Sequence, residues 1–98
     1  MILITGSTGL IGSEVLRLLS QASVPARALV RRPHTGPELP GITWVTGDLS
    51  QPETLPSAFA GCTKLFLLTG NSENFYDLQH NAIVAALEKM KKSGKIIT

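Results

Sequence analysis

The sequence predicts an α/β fold, the N-terminal half of a doubly wound parallel sheet with about five strands in the order 3-2-1-4-5. Three observations carry this reading. The runs "MILIT" (1–5) and "TKLFLLTG" (63–70) are apolar almost throughout, as strands covered on both faces are. Between successive apolar runs lie helically spaced segments or long connections, which suit parallel crossovers and not hairpins. Gly6, Gly9 and Gly12 recur at three-residue intervals where the first strand gives way to the first helix.

Taken in order, residues 1–5 form the first strand. From Leu10 onward, apolar residues fall at Leu10, Ile11, Val15, Leu18 and Leu19, which predicts one buried helix face. "ARALV" (26–30) is the second strand, ended by Arg31, Arg32 and Pro33. "HTGPELPG" (34–41) is turn material and "ITWVTG" (42–47) the third strand. A short helix is expected over 51–61, with Ser50 as its cap, Pro52 in its first turn and Pro56 weakening it. Strand four (63–70) follows, then the longest helix, from about Glu73 to Ser93. Its predicted inward stripe is Phe75, Leu78, Ala82, Ile83, Ala86, Leu87 and Met90, with Gly94 as its stop. "KIIT" (95–98) begins a fifth strand.

Ninety-eight residues make one domain (1–98), and 43% hydrophobic content is that of a globular chain. A net charge of +2 is too small to argue for nucleic acid. Lys89, Lys91, Lys92 and Lys95 crowd one stretch and read as a solvated helix end. The single cysteine, Cys62, cannot close an internal disulfide; it reads as a small buried hydrophobe in a reducing, cytoplasmic setting. With no cationic leader and no long apolar run, neither export nor a membrane is expected. His34 and His80 lack companions at ligand spacing, so no metal site is expected.

The glycines carry the function. A helix starting at the carboxyl end of a strand presents unpaired N–H groups and a positive dipole end, which suit a phosphate. Gly6 makes the tight turn, Gly9 admits a pyrophosphate and Gly12 lets helix and strand pack closely, while Ser7 and Thr8 add hydroxyls. The spacing G-x-x-G-x-x-G, with no Gly-Lys-Ser/Thr after it, is not a P-loop.

"ITGSTGLIG" resembles the "TGxxGxxG" fingerprint of the short-chain dehydrogenase/reductase superfamily, and "GDLSQPETLPSAFAGCTKLFLLTG" is similar to the segment its members carry next. With "DLQHNAIVAAL", the likeness is to the atypical NmrA-like branch, which includes quinone-reductase-like and triphenylmethane-reductase-like enzymes. The resemblance implies a Rossmann NAD(P)-binding domain whose cofactor contacts are Gly6, Thr8, Gly9, Leu10, Ile11 and Gly12. It also implies that Asp48 and Leu49 flank the adenine, with Leu68, Thr69 and Gly70 under the ribose and diphosphate; a turn or cap residue is the lesser alternative for Asp48.

An acid after the second strand would favour NAD(H); here Arg31 and Arg32 stand there with no acid beside them, so NADP(H) is expected over NAD(H). The superfamily's tyrosine-lysine pair is absent, since Tyr76 is followed four places on by His80, and Tyr76 reads as a packing or rim residue. No role is expected for Asn81, since related helices place an asparagine at the position of Ala82. The resemblance implies NADPH-dependent reduction of a quinone-like small acceptor, or alternatively a noncatalytic redox sensor of the NmrA type. Relatives are longer, so the catalytic portion is expected to lie outside this chain, as a fragment or truncated product. An exposed apolar "KIIT" edge is then expected to lead to pairing with another chain, as in a homo-oligomer, or to poor solubility.

Overall fold

A central strand, β1 (Ile2–Ile4), is flanked on one side by β2 (Ala26–Val30) and β3 (Ile42–Thr46). On its other side lie β4 (Lys64–Phe66) and β5 (Lys95–Ile97). This computed structural model describes residues 1–7, 9–33, 38–69, 74–89 and 95–97. All four strand pairings are parallel and the order is β3-β2-β1-β4-β5, as the sequence predicts. The registers Ile4↔Ala28 and Ile4↔Phe66 bring the carboxyl ends of β1 and β4 level, with β2 running two residues further to Val30, so the loops leaving them open at one edge of the sheet.

Side chains alternate across the sheet, and that alternation makes two cores. Ile4, Ala26, Ala28 and Ile42 pack on one face with Leu16 of α1 (Leu10–Gln21). On the other face, Leu3, Leu29, Leu65 and Leu67 meet Leu55, Ala58 and Phe59 of α2 (Leu55–Phe59). Ala82, Ala85 and Ala86 of α3 (Phe75–Lys89) complete that cluster. Cys62 lies buried in it, as expected, and burial raises its thiol pKa.

Several expectations shift in detail. On α1 the fully buried residues are Gly12 and Leu16, with Val15 and Leu19 beside them, while Leu18 is half exposed. Leu10 and Ile11, at 91% and 64% exposure, occupy the first turn, beyond the reach of the sheet. The second helix is split: Pro52–Thr54 form a 3-10 turn before α2, which lets Pro56 fall in the first turn of α2, where its missing N–H is harmless. Gln51, not Ser50, stands at the start of that turn. The core stripe of α3 runs through Ala82, Ala85 and Ala86, whereas Phe75 and Leu87 are exposed. The turn at 34–37, His34 within it, and Glu73, Met90, Lys91, Lys92, Ser93 and Gly94 lie outside the described residues.

Arg27 binds the two halves of this architecture. From β2 its Nη1 donates to the carbonyls of Ala58 and Ala60, each at 2.7 Å, and lies 3.2 Å from Cys62 Sγ. A short helix leaves its last carbonyls without partners, and the guanidinium supplies donors at the negative end of α2.

Candidate functional site

The carboxyl edge of the sheet holds a cleft of about 410 Å³, within the range of small-molecule sites. The glycine turn forms one wall, through Thr5, Gly6 and Ser7. A second wall comes from the ends of β2 and β3, through Val30, Arg31, Gly47, Asp48 and Leu49. Leu68 and Thr69 after β4, Asn74 just before α3 and Leu78 of α3 close the rest.

Backbone crowding shapes the glycine turn. Gly6 has φ +63°, a left-handed value that side chains resist, and a Cβ there would stand 3.0 Å from the Leu68 carbonyl oxygen. Gly12 touches the turn from the helix side: a Cβ there would lie 1.9 Å from the Gly6 carbonyl oxygen. Gly9, between them, is the N-cap of α1 and offers no side-chain cap. The first-turn N–H groups of α1 thus meet no capping side chain from Gly9, which leaves them open to an anion. Thr5, directly before the turn, is fully buried. Its Oγ1 accepts from the Leu68 N–H at 2.8 Å and donates to the Leu68 carbonyl at 3.0 Å, continuing the β1–β4 ladder past the last strand residues. Ser7 does not supply the free hydroxyl expected of it, because its Oγ donates to the Ile4 carbonyl at 2.9 Å in a buried position.

The Asp48 loop is pinned from three directions. Asp48 Oδ1 accepts from both the N–H and the hydroxyl of Ser50, at 2.9 and 2.7 Å, which makes it the turn residue the sequence also allowed. Those two bonds hold its carboxyl below the usual aspartate range against partial burial, with the Arg31 charge pulling the same way. Both fall on Oδ1, so Oδ2 keeps its acceptor capacity. The Asp48 N–H donates to Thr54 Oγ1 at 2.9 Å. From α3, Asn81 Nδ2 donates to the Leu49 carbonyl at 2.8 Å.

The cleft therefore brings together Gly6, Arg31, Asp48, Leu49, Leu68 and Thr69 of the residues the sequence singles out. Gly9, at the N-cap of α1, Leu10, Ile11 and Gly12, in its first turn, and Arg32 do not line it. Both arginines lie just past β2, where the chain bends, and only Arg31 is placed in the lining. Thr8 and Gly70 lie outside the described residues. Thr5, Gly47 and Asn81 are additions. A hydroxyl just before the first glycine was a legible signal for Thr5, but Asn81 acts on a carbonyl 32 residues away. Tyr76 is 74% exposed and stacks on His80 with ring centroids 5.9 Å apart, so it is a surface residue and not part of the core.

Parallel sheet order, glycine turn and a cleft at the strand ends together define a Rossmann-type nucleotide-binding domain. A family model described as NAD(P)H-binding matches residues 6–96, and the chain belongs to that family. It is similar to an NAD(P)H azoreductase from Xenophilus azovorans, 49% identical over 71 residues, or 70% of this chain and 25% of that one. Among solved structures it resembles an NADPH-dependent quinone oxidoreductase from Escherichia coli complexed with NADPH, with TM-score 0.75, 33% identity and coverage of 88% of this chain and 32% of the other. A Citrobacter sp. triphenylmethane reductase complexed with NADP(H) gives TM-score 0.73 at 33% identity, over 90% of this chain and 34% of the other. The chain thus spans a quarter to a third of these relatives' lengths. Among the described residues no helix is long and apolar enough to cross a membrane, and no cluster of His, Cys, Asp and Glu could hold a metal ion.

Proposed function

We propose that this chain is the NADP(H)-binding part of an atypical short-chain reductase of the NmrA-like branch, which passes hydride to a quinone-like or other small electrophilic acceptor. The observation that carries the reading is the placement of Arg31 in the lining of one cleft together with the glycine turn and the Asp48 loop. The glycine turn and the uncapped start of α1 accept the diphosphate through backbone N–H groups. Asp48 and Leu49 flank the adenine, and Arg31 offers a fixed cationic fork to the extra phosphate that distinguishes NADPH from NADH. The bound nicotinamide supplies the hydride, and the protein orients it against the acceptor. The relatives' dye- and quinone-directed names support a planar, electron-poor acceptor.

Binding and turnover test this together. Calorimetric titration with NADPH and NADH is expected to show tighter NADPH binding, and added quinones are expected to accelerate NADPH oxidation by the complete protein. Binding with equal affinity for oxidised and reduced cofactor, and no turnover with any acceptor, would replace the reductase reading with a redox sensor. A folded chain that binds neither nucleotide would overturn both.

A further inference from the structure

We infer that Gln79 is a positioning residue of this cleft, holding the Thr69 hydroxyl as a hydrogen-bond donor toward an oxygen of the bound nucleotide. The inference rests on the cleft being an NADP(H) site. Thr69 lies on the cleft wall, just past β4 and next to Leu68. Gln79 is not part of that wall; it sits half-buried on α3 and its Nε2 donates to Thr69 Oγ1 at 3.1 Å. A hydroxyl has one proton and two acceptor lone pairs. With an amide N–H on one lone pair, the proton is left for an acceptor on another side, and the cleft is on that wall.

The surrounding bonds hold the arrangement. Both backbone groups of Leu68 are engaged by the Thr5 hydroxyl, which fixes the main chain leading into Thr69. Two residues along α3, Asn81 anchors the helix to the Leu49 carbonyl on the opposite rim. Gln79 therefore works from a helix tied to the cleft at a second point, and its amide meets Thr69 at a fixed height. The same bond leaves Thr69 better suited to a phosphate or ribose oxygen, which accepts, than to a donor.

Reversing the bond tests the inference. In Gln79→Glu an isosteric, ionised carboxylate can only accept, so the Thr69 proton turns away from the cleft. NADPH titrations are expected to show about a five- to tenfold weaker Kd for Thr69→Val and a similar loss for Gln79→Glu, each the worth of one hydrogen bond. The double variant is expected to bind as Thr69→Val does, and Thr69→Ser to keep the parent affinity. An equal penalty from Gln79→Glu in the Thr69 and Thr69→Val backgrounds would mean through-space charge repulsion and would overturn the inference. Unchanged affinity in Thr69→Val would overturn it as well. If Gln79→Glu does not fold, Gln79→Met removes the donor without adding charge. Its loss of about two- to threefold is expected only where Thr69 is present, and a loss independent of Thr69 overturns the inference. Should the folded parent bind no NADPH, the reading of the cleft falls and the inference falls with it; parent binding with no coupling between Gln79 and Thr69 removes the inference alone.

Discussion

Gly12 sits against Gly6 so closely that a Cβ on Gly12 would stand 1.9 Å from the Gly6 carbonyl oxygen and 2.7 Å from its carbonyl carbon. Both colliding groups are backbone, so no side chain can swing aside. Gly6, at φ +63°, needs its left-handed turn for a separate reason. The outer glycines therefore fix how α1 meets the sheet, and Gly9 between them leaves the helix start bare.

Gly12→Ala is expected to destabilise the fold by more than the 1–3 kcal/mol typical of about one extra methyl in a packed core. Gly9→Ala, whose Cβ would meet its nearest neighbour at an ordinary 3.4 Å, is expected to alter stability by under about 1 kcal/mol. Its effect should appear instead as weaker NADPH binding. Urea midpoints for the two variants check this, and equal losses of stability would contradict it.

Arg27→Met keeps the apolar stem and removes the donors that meet Ala58 and Ala60. A loss of about 2 kcal/mol is expected, since the partly buried Ala58 carbonyl of α2 loses a charged partner. Thermal unfolding measures it. A variant as stable as the parent would show that water replaces the guanidinium without penalty.

Asp48 gives a pH dependence of defined sign. Its folded-state pKa lies below the ordinary aspartate value, because Ser50 donates twice to its carboxylate and burial opposes this only in part. The stabilisation is therefore complete above the ordinary value and drains away as pH falls through the depressed one, below about pH 4. Stability measured from neutral pH into acid should show the gap between the parent and Asp48→Asn narrowing in that window. A gap that stays constant would mean the carboxylate's charge plays no part in the turn.

Much of this was readable in the chain. "MILIT" before Gly6 and the apolar spacing after Gly9 place a strand, a turn and a helix, and the alternation of elements leads to the observed strand order. What escaped reading depends on contacts distant in sequence. The Arg27 partners lie more than thirty residues on, and an arginine inside an apolar strand gives no hint of a helix end waiting for it. Counting apolar residues placed Leu10, Ile11 and Leu18 inward, but the contact line of α1 is set by its smallest residue, Gly12, and runs on through Leu16. Asn81 sits in a helix whose pattern is dominated by alanines, and its role is defined only when the Leu49 loop folds against it. Sequence could not choose between the arginines at 31 and 32 for the cleft lining; the path of the chain after β2 places Arg31 there and not Arg32.

That choice supports the most direct test of the account. Calorimetric titration of the parent, Arg31→Ala and Arg32→Ala with NADPH and with NADH isolates the central claim, that Arg31 reads the extra phosphate from the cleft wall. The account predicts that Arg31→Ala weakens NADPH about tenfold or more, as loss of a charge-assisted hydrogen bond would, and leaves NADH within about twofold. Arg32→Ala should match the parent. An Arg31→Ala protein that still prefers NADPH as the parent does, or a folded parent that binds no NADPH, would contradict it.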